Sequence, residues 1–117
     1  ALAINPSVHA LAINPQNPST IYAVTNGGVF RSINGGDDWT QINEGLTALH
    51  VYALAINPQN PDTIYAGTDG DGVYRSTNGG DDWTQINSGL TDLYVCALAI
   101  NPKFPNPSII YAGFIVV

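Results

Sequence analysis

Ala10-Leu11-Ala12-Ile13-Asn14-Pro15-Gln16-Asn17-Pro18 returns as Ala53-Leu54-Ala55-Ile56-Asn57-Pro58-Gln59-Asn60-Pro61, and opens a third time as Ala97-Leu98-Ala99-Ile100-Asn101-Pro102. The spacing is 43 residues from Ala10 to Ala53 and 44 from Ala53 to Ala97, because Asp71 is an extra residue before Val73. The copies run 10–52 and 53–96, with a partial copy at 97–117. A fixed period in this range marks repeat architectures, in which one supersecondary unit buries its apolar faces against its own copies. Residues 1–9 form an irregular partial repeat, since Ala1 to Pro6 carries the same Ala-Leu-Ala-Ile-Asn-Pro phrase out of register.

Each copy holds four short apolar runs separated by turn residues. The first is Val8–Ile13, with counterparts at 51–56 and 95–100. Both its faces are apolar, so it is expected to be covered on both sides. Asn-Pro then stops the run, because proline cannot donate to a ladder. The second run is Ile21–Thr25, with counterparts at 64–68 and 109–114, and Asn26-Gly27-Gly28 after it is a tight-turn signal. The third run, Val29–Ser32, is matched by 73–76, and the fourth, Trp39–Ile42, by 83–86. No ten-residue segment keeps a helical period free of Gly and Pro. Four antiparallel strands per repeat of this length predict the blade of an all-β propeller, with about two and a half blades here. The chain as a whole reads as one incomplete propeller segment spanning 1–117.

Between runs three and four, Ser32-Ile33-Asn34-Gly35-Gly36-Asp37-Asp38-Trp39 recurs as Ser76-Thr77-Asn78-Gly79-Gly80-Asp81-Asp82-Trp83. The Asn side chains can accept bonds from nearby backbone N–H groups and hold a hairpin. Gly36 and Gly80 permit positive φ. Ser32 and Ser76 can bond within the turn, and Trp39 and Trp83 supply apolar anchors that fix each hairpin onto its blade. This pattern resembles the Asp-box, Ser-x-Asp-x-Gly-x-x-Trp, of BNR-repeat propellers, with Asn34 and Asn78 in place of Asp. Families built from such blades include sialidases, xyloglucan-degrading glycosidases, sortilin-type receptors and a photosystem II assembly factor. The resemblance implies a structural role for Ser32, Asn34, Gly36 and Trp39 and for Ser76, Asn78, Gly80 and Trp83, on the propeller rim and away from any active centre.

Composition excludes several functions. Three Lys plus Arg against nine Asp plus Glu leave a net charge of −6, which disfavours phosphate backbones and anionic membranes as partners. No apolar run approaches the roughly 18 residues of a membrane-spanning helix. Charged residues are 10% and hydrophobic ones 44%, a balance that argues against disorder. With no methionine and Ala1 first, the expectation is a piece of a longer protein or a processed one. The single cysteine, Cys96, stands at the position of Tyr52 and reads as a small buried hydrophobe.

Chemistry is sparse. The resemblance to sialidases would imply an arginine triad and a tyrosine nucleophile, but Arg31 and Arg75 occupy equivalent positions and read as stems packed along a blade with their heads in water. Tyr22, Tyr65 and Tyr111 repeat likewise. A catalytic centre breaks symmetry, which turns attention to the positions where the copies differ: Glu44, His50, Asp62, Asp69, Asp71, Asp92, Cys96 and Lys103. Asp69-Gly70-Asp71-Gly72 hints at calcium, yet a calcium loop wants a bidentate Glu at the twelfth position, where Gly80 stands. A glycosidase needs two carboxylates across the scissile bond, which Asp62, Asp69, Asp71 and Asp92 do not obviously supply. His9 and His50 read as packed rings. No catalytic, cofactor or metal residue is assigned on these grounds. The expected function is a non-enzymatic binding or scaffolding segment, extracellular or periplasmic. Its partners would be further blades of the same protein, identical chains closing a ring, or a protein or glycan ligand. The alternative is a piece of a secreted sialidase-like or xyloglucanase-like glycosidase whose catalytic residues lie elsewhere.

Overall fold

The computed structural model describes residues 8–47, 49–90, 93–100 and 110–114. Ten strands account for the regular structure, with no helix among the described residues: β1 (Val8–Ile13), β2 (Ile21–Thr25), β3 (Gly28–Ser32), β4 (Thr40–Gln41), β5 (Val51–Ile56), β6 (Ile64–Thr68), β7 (Val73–Ser76), β8 (Thr84–Gln85), β9 (Val95–Ile100) and β10 (Ile110–Phe114). They form two antiparallel four-stranded sheets in sequential order, β1-β2-β3-β4 and β5-β6-β7-β8, plus the pair β9-β10. This is the predicted all-β arrangement of propeller blades. The fourth run is shorter than expected: only Thr40–Gln41 and Thr84–Gln85 are strand. Trp39 and Trp83 precede the ladder instead of joining it.

Register repeats from blade to blade. Ile13 pairs with Ile21 and Ile56 with Ile64. At the other end of the first strand each sheet has a bulge, between Val8 and Ala10, Val51 and Ala53, and Val95 and Ala97. The extra residues are His9, Tyr52 and Cys96, at one repeat position. A bulge adds an unpaired residue and re-aims its side chain, so the fold presents a variable side chain at the same corner of every blade.

The blades stack. β5 lies on β1 and β2, and β9 lies on β5 and β6. Between the first two sheets a core forms from Tyr22, Val24, Val29, Ile42, Leu46, Val51, Ile64, Ala66, Tyr74 and Trp83. A smaller cluster, Tyr65, Val73 and Val95, joins the second sheet to β9. Close approach sets one residue choice. A Cβ on Gly67 would lie 2.7 Å from Val95 Cγ1, so any larger residue would push against β9; the first blade has Val24 at this position.

The expectation that the first strand is covered on both sides holds for β5 and fails for β1. Val51 and Val95 are fully buried, whereas Val8, Leu11 and Ile13 are 55%, 64% and 56% exposed. No blade lies in front of β1 among the described residues, so its second apolar face meets water.

Candidate functional site

The two ends of each blade do different work. At one end lie the β1–β2 loop and the β3–β4 hairpin, joined by the Gly35 N–H donating to Ser19 O at 2.9 Å. Here Ser32, Asn34, Gly36 and Asp38 meet. Ser32 Oγ donates to Asn34 Oδ1 (2.9 Å) and accepts from the Gly36 N–H (2.8 Å), while Asn34 Oδ1 also accepts from the Asp38 N–H (2.9 Å). Ser76, Asn78, Gly80 and Asp82 repeat these bonds. The Asn side chain also explains its own presence: Asn34 Nδ2 donates to Asp38 Oδ2 at 2.8 Å and Asn78 Nδ2 to Asp82 Oδ2 at 2.9 Å. An Asp in either place would set two carboxylates against each other.

The tryptophans differ from expectation. Trp83 is 4% exposed and reaches across to the preceding blade: its Nε1–H donates to Ile42 O and its backbone N–H to Glu44 O, both at 2.9 Å. It anchors one blade to another, not merely a hairpin to its own sheet. Gly80 makes room for this contact, since at φ +98° a Cβ would lie 2.5 Å from Ile42 Cδ1. Trp39, with no earlier blade against it among the described residues, is half-buried.

Nor does the Arg31 head sit in water. It donates to Gly79 O (2.9 Å) and to Asp81 Oδ1 (3.1 Å) on the neighbouring hairpin. Tyr22 OH donates to the same Gly79 carbonyl at 3.1 Å. Burial pushes the Tyr22 hydroxyl pKa up and outweighs the nearby Arg31, which pulls it down. Arg75, the counterpart of Arg31, is exposed. These polar groups therefore serve blade-to-blade registration.

The opposite end carries the asymmetry. There the first strands begin and the β2–β3 and β6–β7 turns close. In the second blade the turn 69–72 is laced to two neighbouring segments: Asp69 N–H donates to His50 O (2.9 Å), and Gly70 and Gly72 N–H donate to Leu93 O (3.1 and 2.8 Å). The Asp69 carboxylate, 33% exposed, accepts from Tyr52 OH at 3.4 Å and lies 3.7 Å from His50 Nδ1. Asp71 Oδ2 accepts from Thr47 Oγ1 (2.7 Å) and Tyr74 OH (3.1 Å). The two carboxylates thus have separate partners, and no group of three His, Cys, Asp or Glu side chains among the described residues is placed to hold a metal ion. In the first blade Asn26 takes the place of Asp69, with its Oδ1 hydrogen-bonded to His9 Nε2 at 2.5 Å. The His9 ring in turn contacts Tyr52, centroids 4.8 Å apart.

Both histidines therefore leave the packed role expected of them. His9 and His50 are exposed and line one polar rim with Asn26, Tyr52, Asp69 and the exposed Tyr94. Sequence reading found Asp69 and His50 as places where the copies differ. It missed Tyr52 and Asn26, whose signal was the bulge position and the turn position of those same differences. Glu44 is exposed, and Asp62 bonds through its backbone carbonyl to the Gly79 N–H (2.9 Å). Cys96 is half-buried, 3.6 Å from Gly113 O. Asp92, Lys103 and the Tyr111 side chain lie outside the described residues.

No family model and no curated protein matches this chain. Solved structures do. An ancestral GH74 enzyme aligns with a TM-score of 0.72 and 26% identity over 81% of this chain and 12% of its own. The GH74 enzyme of Niastella koreensis aligns with a TM-score of 0.71 and 26% identity over 91% of this chain and 19% of its own. The GH74 xyloglucanase of Xanthomonas campestris aligns with a TM-score of 0.64 over 80% of this chain and 16% of its own; at 16% identity it speaks to fold alone. GH74 enzymes are β-propeller glycoside hydrolases, so the propeller architecture stands. The chain spans under a fifth of the length of each of these proteins. The expectation of a non-enzymatic protein does not survive this finding, because these three solved structures are each GH74 enzymes. No helix among the described residues is long and apolar enough to cross a membrane.

Proposed function

We propose that this chain is a run of Asp-box blades from a secreted glycoside hydrolase of GH74 type, acting on a polysaccharide such as xyloglucan. The single observation that supports the reading most is the likeness to GH74 enzymes over four-fifths or more of the chain. The hairpin end, with Ser32, Asn34, Gly36 and Trp39 and their copies, is the structural rim of the blades. The polar end is the substrate face, and Asp69 is its reacting carboxylate.

The chemistry follows from the setting of Asp69. Glycoside hydrolysis uses one protonated carboxyl to assist the leaving oxygen and one carboxylate to activate water or attack carbon. Asp69 accepts a hydrogen bond from Tyr52 OH at 3.4 Å and stands 3.7 Å from His50 Nδ1, and we assign it the role of base. Its remaining lone pairs are open to water or a sugar hydroxyl. The acid comes from another blade. Tyr52 and the exposed Tyr94 lie beside it, aromatic side chains of the type that packs on a pyranose.

The test is hydrolysis of xyloglucan by the full-length parent protein and by its Asp69→Asn variant. Removal of a base lowers kcat by roughly 10²–10⁴-fold, with oligosaccharide affinity changed little. A parent that releases no reducing sugar from any β-glucan sinks the reading. A variant with parental kcat sinks the role of Asp69 alone.

A further inference from the structure

The turn that carries Asp69 is built on the same anchor as its counterpart in the first blade. There Gln41 Nε2 and Asn43 Nδ2 both donate to Gly27 O at 3.0 Å, and the Gly27 N–H donates to Thr25 Oγ1 at 2.9 Å. In the second blade Gln85 Nε2 and Asn87 Nδ2 both donate to Asp71 O at 2.9 Å, and the Asp71 N–H donates to Thr68 Oγ1 at 3.1 Å. Asp71 therefore takes the bonds of Gly27, and the added length of the turn falls between Asp69 and Asp71. Two side chains change together on this anchor: Asp71 replaces Gly27, and Tyr74 replaces Phe30. The two new groups meet. Asp71 Oδ2 lies 3.1 Å from Tyr74 OH and 2.7 Å from Thr47 Oγ1, and the two hydroxyls are 2.7 Å apart. Two hydroxyl protons serve three oxygens here, so a carboxylate, which only accepts, completes the set.

We propose that Asp71 is a positioning residue for Asp69, clamping the 69–72 turn to the segment that leads into β5. The inference rests on the reading of Asp69 as the reacting carboxylate. The clamp is a closed loop. Asp71 Oδ2 accepts from Thr47, and further along the same segment His50 O accepts the Asp69 N–H at 2.9 Å. The turn is thus tied to one segment on both sides of Gly70. Tyr74 gives the loop a fixed base, since it is 2% exposed in the blade–blade core while its hydroxyl reaches the turn. With the backbone of Asp69 held, its carboxylate stays beside Tyr52 OH and His50 Nδ1. Glycoside hydrolysis needs its two carboxyl groups at a set separation across the bond. An acid on another blade keeps that separation only if this turn does not shift against its own blade. The first blade has Gly27 and Phe30 in place of the clamp, and its turn carries Asn26, an amide that cannot act as base. Clamp and carboxylate occur in the same blade.

Steady-state hydrolysis of xyloglucan by the full-length parent protein and its variants tests the clamp. Asp71→Ala removes the acceptor, and kcat falls by roughly 10–10²-fold through a misplaced base, with KM little changed. Asp71→Asn keeps a carbonyl acceptor for the hydroxyls and recovers most of that loss. Asp69→Asn combined with Asp71→Ala is no slower than Asp69→Asn alone, because Asp71 acts through Asp69. Amide exchange of Asp69 speeds up in Asp71→Ala, while β5 and β6 keep their parental protection. Should Asp71→Ala fail to fold, Thr47→Val at an exposed site breaks the same loop and is read in the same way. A parental kcat in the clamp variants overturns the proposal. So do losses that multiply in the double variant, or exchange at Asp69 that does not change. A slow Asp69→Asn beside a parental Asp71→Ala overturns the role of Asp71 alone, whereas a parental kcat in Asp69→Asn overturns the reading of Asp69 and this role with it.

Discussion

Trp39 and Trp83 close the same hairpin, follow the same Asp-Asp pair and precede the same Thr-Gln strand, yet one is half-buried and the other 4% exposed. The hairpins themselves do not differ: their Ser–Asn–Gly bonds agree to within 0.1 Å, for example 2.9 Å for both Ser–Asn bonds and 3.4 against 3.3 Å for the Asn N–H bonds to serine. What differs is the neighbour. The second blade has the first to receive its indole, and the first has none on that side among the described residues. Secondary structure in this protein is thus a property of one repeat, while burial is a property of two. This is the nearest-neighbour energetics of repeat architectures.

That comparison is broken most directly at the indoles. Trp83→Ala removes a buried ring from the blade–blade core and leaves Ile42 O without its donor. Large-to-Ala changes at such aromatic sites cost about 3–5 kcal/mol. Trp39→Ala removes a ring already half in water and costs well under half as much. Chemical denaturation of both variants checks the pair. Equal losses would mean that the ring stabilises its own hairpin, and blade stacking would lose its place as the organising interaction.

A second comparison sets Gly67 against Val24. Both sit on the second strand of a blade, under the first strand of the next. Val24 is fully buried and tolerated, but a Cβ at Gly67 meets Val95 at 2.7 Å. Gly67→Val therefore overpacks the junction with β9, at about 1–3 kcal/mol. The loss appears as faster amide exchange in 95–100, while β1–β8 stay protected. Global loosening of all strands in step would show that the two junctions are not separate units.

The strands were legible because alternating apolar runs and Asn-Pro or Gly-Gly breaks are local signals, and the repeat multiplied them. The hairpin bonds follow from equally local signals, since the side chains of Ser32 and Asn34 bond within their own turn. The Arg31 contact was hidden, because its partners Gly79 and Asp81 lie about fifty residues away. Spacing within one repeat says nothing of them. The polar rim was half visible. A break in symmetry marked Asp69 and His50, but the hydrogen bond from Tyr52 depends on a bulge, and bulges leave no clear mark in sequence. The first strand was misjudged for a related reason: an apolar pattern says which faces can be covered, not whether a neighbour covers them.

The smallest effect expected concerns the hydroxyl that joins the two blades. Tyr22 OH donates to Gly79 O inside the interface, and burial raises its pKa above the ordinary 10.0. The folded state thus resists losing this proton more than the unfolded chain does. By linkage the contribution of neutral Tyr22 is complete below pH 10.0 and is lost as pH climbs through the raised value. Tyr22→Phe has two consequences. At neutral pH it leaves Gly79 O with Arg31 as its remaining side-chain donor, a loss of about 1 kcal/mol. Above pH 10 it removes part of the alkaline decline, so the parent and variant stability curves converge. Urea midpoints taken across that range decide the matter. Curves that stay parallel would mean the hydroxyl ionises as freely at the interface as in the unfolded chain, and the blade junction at Tyr22 would have to be wet.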